Sequence, residues 1–213
     1  MKTIKLSNNV RVSDPGYTDD VWCKTRLTDV YPGEYNVSVE TSDEGRVSRL
    51  SVIHKGYVME CNDESSWEEH SDIGVDSGQA GIFCESSYRN DGIVESITTP
   101  EVDFVLPYDD TPGDKWYEKV CRFTLVEPRW GSYDTGVVSS SGYGDGGYPL
   151  EVVRNDDKEI VGMRITYIFP DDEEEEDYDV CPECGGEMDF GDEICESCQN
   201  EQDYNDHIEN QEN

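Results

Sequence analysis

The sequence predicts a mainly β protein: an antiparallel β-sandwich-like domain with little helix, plus a small C-terminal zinc ribbon. Three observations predict it. The aliphatic residues are 21 Val and 11 Ile against six Leu and one Ala, with 13 Tyr beside them, a mixture that suits pleated, half-buried surfaces better than helices. Apolar and polar residues alternate over short stretches bounded by Gly, Pro and Asp, which is the period of a strand with one wet face. Four of the eight cysteines crowd into residues 181–198 and four others are scattered singly.

Taken in order, residues 10–17, VRVSDPGY, predict a short strand that ends in a Pro-Gly turn. Tyr31-Pro32-Gly33 predicts a second turn. From there Tyr35, Val37 and Val39 point inward against Asn36, Ser38 and Glu40, and Asp43-Glu44-Gly45 turns the chain into a strand over 46–54. A third β-like run is expected to end near Cys61. NDESSWEEH, residues 62–70, reads equally as a brief helical turn or a loop. IGVDSGQAGIFC, residues 73–84, is two apolar runs around a polar knot. Trp116 to Cys121 predicts the one true helix, opening near Pro112 and Asp114, and residues 122–127 read as a strand.

The stretch from Gly136 to Phe169 predicts strand, glycine-rich loop, strand, polar turn and strand, and closes the main core. Tyr148, Leu150 and Val152 share one face. Val161, Met163, Ile165, Tyr167 and Phe169 share one parity in the next strand. The loop between Ser141 and Gly147 holds four glycines around Asp145, which permits positive-φ backbone that other residues avoid.

After Pro170 comes DDEEEEDYD, eight acids in nine residues, too polar to fold alone. The expected organisation is therefore a β-rich domain over 1–170, an acidic linker over 171–179, a zinc ribbon over 180–200 and a disordered acidic tail over 201–213. The net charge is -34, and residues 171–213 carry 19 acids and no Lys or Arg. Such a charge repels phosphates, because affinity for nucleic acid comes largely from Lys and Arg displacing counterions. The partner expected is a basic protein surface, with no direct nucleic-acid binding and no membrane. MKTIKLSNNV lacks the apolar run of a signal peptide, and no stretch approaches the roughly 20 apolar residues a bilayer requires. A cytoplasmic location follows as the expectation, the host cytoplasm for a phage-encoded protein. Cys23, Cys61, Cys84 and Cys121 are expected as reduced core thiols.

Cys181-x2-Cys184 and Cys195-x2-Cys198, separated by ten residues, offer four thiolates to a tetrahedral structural Zn2+. A unit this small has no core of its own, so about 10 to 16 kcal/mol of zinc binding would supply its folding free energy. Four thiolates around Zn2+ leave about -2 of charge with no base nearby, which argues for protein docking rather than nucleic acid.

A second candidate site is the loop set Asp76, Ser77, Gln79, Tyr143, Asp145 and Tyr148, with Asp14 in an earlier turn. Convergent carboxylates at one end of a sandwich could hold a divalent cation or act as acid and base. The plainer reading is that Asp favours turns, because its side chain bonds local backbone. With three His and no G-x-S-x-G elbow, a Ser-His-Asp triad has little support, and no catalytic residue is assigned.

VRVSDPGY, VDSGQAGIF and SSGYGDGGYPLEVV together resemble uncharacterised proteins of bacteriophages and bacteria related to the family called domain of unknown function 4241. The likeness covers about residues 9–169. It implies a compact β-rich intracellular domain, and some relatives look like immunity proteins of toxin systems; it implies no catalytic residues. The function expected is an acidic intracellular protein-binding module, of phage or mobile-element origin, that neutralises or redirects a host or toxin protein. Two rivals are a nucleic-acid mimic that inhibits a DNA-binding protein and a metal-dependent hydrolase using Asp76 and Asp145.

Overall fold

Among the described residues, short alternating stretches rich in Val, Ile and Tyr build eleven strands in two antiparallel sheets. The computed structural model describes residues 2–18, 21–106, 111–169, 184 and 198. The chain divides into two units, Met1–Pro170 and Asp171–Asn213, and both sheets belong to the first.

The strands are β1 (Thr3–Leu6), β2 (Val10–Ser13), β3 (Thr25–Leu27), β4 (Gly33–Thr41), β5 (Val47–His54), β6 (Glu68–Val75), β7 (Gln79–Cys84), β8 (Trp130–Tyr133), β9 (Gly136–Ser140), β10 (Gly146–Arg154) and β11 (Ile160–Thr166). The larger sheet has the order β1-β4-β5-β11-β10-β6 and the smaller β3-β2-β7-β9-β8. Ile4, Val12, Tyr35, Val52, Ile82, Leu150 and Ile165 fill the space between them. At the seams the sheets are tied by backbone hydrogen bonds, Lys5 N to Asp134 O (2.7 Å) on one side and Gly74 N to Cys23 O (2.8 Å) on the other.

Both sheets are also covered outside, which explains strands that are apolar on both faces. Behind the smaller sheet lies α2 (Asp114–Cys121), whose Trp116 and Val120 pack with Phe83, Tyr133 and Val138. That helix starts where it does because Asp91, from a 3-10 turn over Asp91–Ser96, accepts hydrogen bonds from Gly113 N and Trp116 N, both at 2.9 Å. A carboxylate there satisfies helix-end N–H groups and meets the positive end of the dipole. Behind the larger sheet, α1 (Val58–Cys61) and a 3-10 turn over Glu64–Ser66 cover Val153 and Val161. Arg164, buried on this face, lies over the Trp67 ring at 4.4 Å and bonds Glu151 with Nε and Nη2 and Glu64 with Nη1.

The mainly β class and the turns at Pro15-Gly16 and Asp43-Glu44-Gly45 stand as the sequence predicts. Several elements differ. The run ending at Cys61 closes with the helix α1, because a strand cannot continue past the Gly56 turn into the cover of the larger sheet. Residues 122–127 form turns rather than a strand; Phe123 N bonds Val120 O and Thr124 N bonds Cys121 O, so the segment stays with the helix end. Helix α2 is joined by α1 and two 3-10 turns. In β11 the register shifts opposite Val153 and Arg154, so Val161 faces the outer cluster while Met163 and Ile165 face the inner core. Phe169 lies beyond the strand and is exposed. Strands β1, β3 and β8 have no counterpart in the sequence reading. Cys61, Cys84 and Cys121 are buried, Cys23 is half-buried, and none of the four is in a disulfide.

Candidate functional site: the loop end of the sandwich

Strand directions bring the turns of interest to one end of the domain. Val75, the last residue of β6, pairs with Gly146, the first of β10. Gln79, the first of β7, pairs with Ser140, the last of β9, and Ser13 at the end of β2 lies opposite Gly81. Asp14, Asp76 to Gly78 and Ser141 to Asp145 therefore share that end, and Ser141 N bonds Gly78 O at 3.1 Å. The β4–β5 turn also belongs to it, since Arg49 near the start of β5 pairs with Thr166 at the end of β11, which runs antiparallel to β10.

Asp14 is the hub and is fully buried. Its Oδ1 accepts from Gly16 N (2.7 Å) and the Ser77 hydroxyl (2.8 Å), and its Oδ2 from Asp76 N (2.9 Å) and Ser77 N (2.7 Å). Four donors occupy the lone pairs that a metal ion or a substrate proton would need. This carboxylate holds the β6–β7 turn onto the β2 turn, which is structural work. Tyr88 completes the joint, its hydroxyl proton shared between the carbonyls of Asp14 and Tyr17, both at 2.7 Å.

Around this hub, Tyr17 is buried and its phenol is pushed well above its ordinary value by desolvation, then by hydrogen bonding with Cys23 and Asp76. Gln79, buried at the start of β7, donates from Nε2 to the Cys121 thiol (3.5 Å) and accepts from the Thr124 hydroxyl (2.8 Å), which fastens α2 to the smaller sheet. Burial raises the Cys121 thiol, with hydrogen bonds from Gln79 and Tyr117 opposing it, so it is not set up as a thiolate nucleophile. Ser77 donates to a carboxylate that already holds three backbone N–H groups, a poor arrangement for accepting its proton.

The glycine-rich loop is held by its own bonds. Ser141 Oγ donates to Gly144 O (2.7 Å), Gly144 N to Ser141 O (3.0 Å), and the Tyr148 hydroxyl reaches Ser141 O (2.9 Å) and Gly144 O (2.8 Å). Gly142 and Gly144 adopt φ of +61° and +115°, which side chains rarely tolerate. Tyr148 is buried and its phenol is raised by desolvation; it is a loop anchor. Tyr143 stands out at 57% exposure, with the Arg46 guanidinium over its ring at 5.1 Å. Asp145 is exposed beside it. A cleft of about 380 Å3 lined by Glu44, Gly45, Arg46, Glu127 and Arg129 adjoins this turn.

The structure thus brings Asp76, Ser77, Gln79, Tyr143, Asp145 and Tyr148 to one end but not to one chemical centre. Asp14, Ser77, Gln79 and Tyr148 serve packing and loop shape, while Asp76, Tyr143 and Asp145 face solvent. The positions of Tyr88 and Tyr117 escape the sequence, because only the fold brings the Tyr88 hydroxyl to Asp14 O and the Tyr117 phenol beside Gly16 and Ser77. Among the described residues no group of three or more His, Cys, Asp or Glu is placed to hold a metal ion, and no helix is long and apolar enough to cross a membrane. Of the four cysteines read as zinc ligands, Cys184 is exposed and Cys198 half-buried; Cys181, Cys195, the acidic linker and the tail lie outside the described residues. No protein-family model, no curated protein and no solved structure matches the chain.

Proposed function

We propose that this protein is an acidic binding module that attaches to a basic surface of another protein, a host or toxin protein that it neutralises or redirects. The observation that carries this reading is the pairing of its arginines. All nine lie within 4 Å of a carboxylate of the same domain: Arg11 and Arg26 with Glu85, Arg46 with Glu44, Arg49 with Glu40, Arg89 with Asp114, Arg122 with Glu118, Arg129 with Glu127, Arg154 with Asp29 and Glu68, and Arg164 with Glu151 and Glu64. The guanidiniums are thereby engaged within the domain, while the chain as a whole carries -34 and acids such as Asp43, Asp72, Asp76 and Glu95 are exposed. Such a field steers cationic partners into contact and repels phosphate polymers.

Within this reading Cys181, Cys184, Cys195 and Cys198 hold one structural Zn2+, a proposal that rests on the C-x2-C spacing. The ribbon would then add a second, compact contact surface. The test is affinity capture from the native cell across a salt series. A basic protein whose retention falls as salt rises is the expected result, since attraction between exposed charges is screened over about 8 Å at physiological ionic strength. Recovery of an acidic protein or of bare nucleic acid would contradict the proposal.

A further inference from the structure

The end of the domain that bears Tyr143 combines features that go beyond net charge. Asp43, Glu44, Asp76, Glu127 and Asp145 are exposed there, against two guanidiniums, Arg46 and Arg129, each held by its own Glu. Tyr143 projects from a loop whose shape is held by the bonds of Ser141, Gly144 and Tyr148. A partner would not have to order it, which is where much of the cost of association usually lies. The chain also shows what chemistry this ring takes: Arg46, from a separate turn, lies over Tyr143 at 5.1 Å while its Nε bonds Glu44 at 3.1 Å.

We propose that this arrangement is the docking point for an arginine side chain of the partner protein, which stacks on Tyr143 and pairs with Asp145 and Glu44. Arg46 occupies the position from within the chain, and the partner's guanidinium replaces it. The adjoining cleft of about 380 Å3 between Glu44 and Glu127 receives the side chain's stem. Guanidinium fits better than ammonium because it is planar, stacks on an aromatic face and bonds a carboxylate in the same plane. The proposal rests on the reading of the protein as an acidic binder and adds the surface and the partner's chemistry to it.

The test is titration of the full-length protein with hexa-arginine and hexa-lysine peptides, followed by amide and tyrosine-ring NMR shifts at low salt. Hexa-arginine is expected to bind more tightly than hexa-lysine and to move the signals of residues 44–46 and 142–147. Tyr143→Ala should weaken hexa-arginine binding about two- to fivefold, the range for an exposed cation–π contact. Tyr143→Phe should keep the affinity, and Arg46→Ala should raise it by vacating the ring and Glu44. Shifts confined to residues 171–213, equal binding of both peptides, or an Arg46→Ala variant that binds more weakly would overturn the docking point while leaving the acidic-binder reading in place. Absence of binding to either peptide at low salt would overturn both.

Discussion

Ser77 gives both its backbone N–H and its hydroxyl to the carboxylate of Asp14, at 2.7 and 2.8 Å, across a separation of 63 residues. Together with Asp76 N and Gly16 N, these bonds weld the β6–β7 turn to the end of β2. The end of the sandwich that displays Tyr143 is built on that joint.

Asp14→Ala should therefore be strongly destabilising. It leaves three backbone N–H groups and a hydroxyl, all at part-buried positions, without their acceptor. A loss of about 1 to 3 kcal/mol is expected in urea unfolding, with Asp14→Asn intermediate because it retains one oxygen. Full stability in both variants would mean that the carboxylate serves something other than the fold.

The glycine-rich loop offers a graded test. Gly144 has φ of +115° and open space around it, whereas a side chain at Gly142 would also meet Ile168 and Tyr167 at 2.9 and 3.0 Å. Gly144→Ala should cost about 1 kcal/mol through backbone strain alone, and Gly142→Ala clearly more. Thermal or urea unfolding of the two variants reads the order directly; the reverse order would refute the assignment.

Arg164 and Glu151 form a two-bond pair on the outer face of the larger sheet, with side-chain exposures of 10% and 22%. Glu151→Ala should destabilise by about 1 to 3 kcal/mol, since it removes two of the three carboxylate hydrogen bonds of a nearly buried guanidinium and leaves it only the exposed Glu64. The double variant Glu151→Leu with Arg164→Met should lose less than Glu151→Ala does. A double-mutant cycle with no coupling between the two sites would show that the pair adds nothing.

His54 sits against Tyr31, Tyr35 and Tyr57 with ring centroids 5.0, 5.2 and 5.5 Å away, and its Nδ1 accepts from Gly56 N at 3.1 Å. Burial lowers its pKa in the folded state. The unfolded chain therefore binds the proton more readily, so stability rises with pH through this window. The contribution of neutral His54 is complete above about pH 6.5, the unperturbed value, and is lost as pH falls through the folded pKa. Proton NMR titration of the His54 ring should give a midpoint below the unperturbed value, and His54→Gln should flatten the pH dependence there. A midpoint at or above it would refute this account.

Metal analysis of protein purified without added zinc should find one zinc per chain, held by Cys181, Cys184, Cys195 and Cys198. Chelation should leave the unfolding transition of residues 1–170 in place, because the core clusters of that unit are built from its own residues, Ile4 to Ile168. An iron-sulfur absorption band or metal-free reduced protein would refute the zinc assignment.

The sequence by itself determined the mainly β class, the inward positions Tyr35, Val37, Leu150 and Val152, the turns at Pro15-Gly16 and Gly45, and the acidic balance. These are local or additive: period-two alternation places a side chain on a face whatever the partner strand, and charge sums without a fold. Tertiary structure alone decided that Val161 turns outward at a register shift, that residues 122–127 stay with the end of α2, and that Asp14 is a buried clamp rather than an acid or a metal ligand. Each of these depends on groups far away in the chain, such as Ser77 for Asp14. Burial and hydrogen-bond satisfaction are set by such long-range partners, and a run of residue types does not reveal which donors will reach a carboxylate. The same holds for Tyr143 and Tyr148. Five residues apart in one glycine-rich stretch, they look alike in sequence, and only the packing of the loop onto the sandwich makes one the anchor and leaves the other exposed.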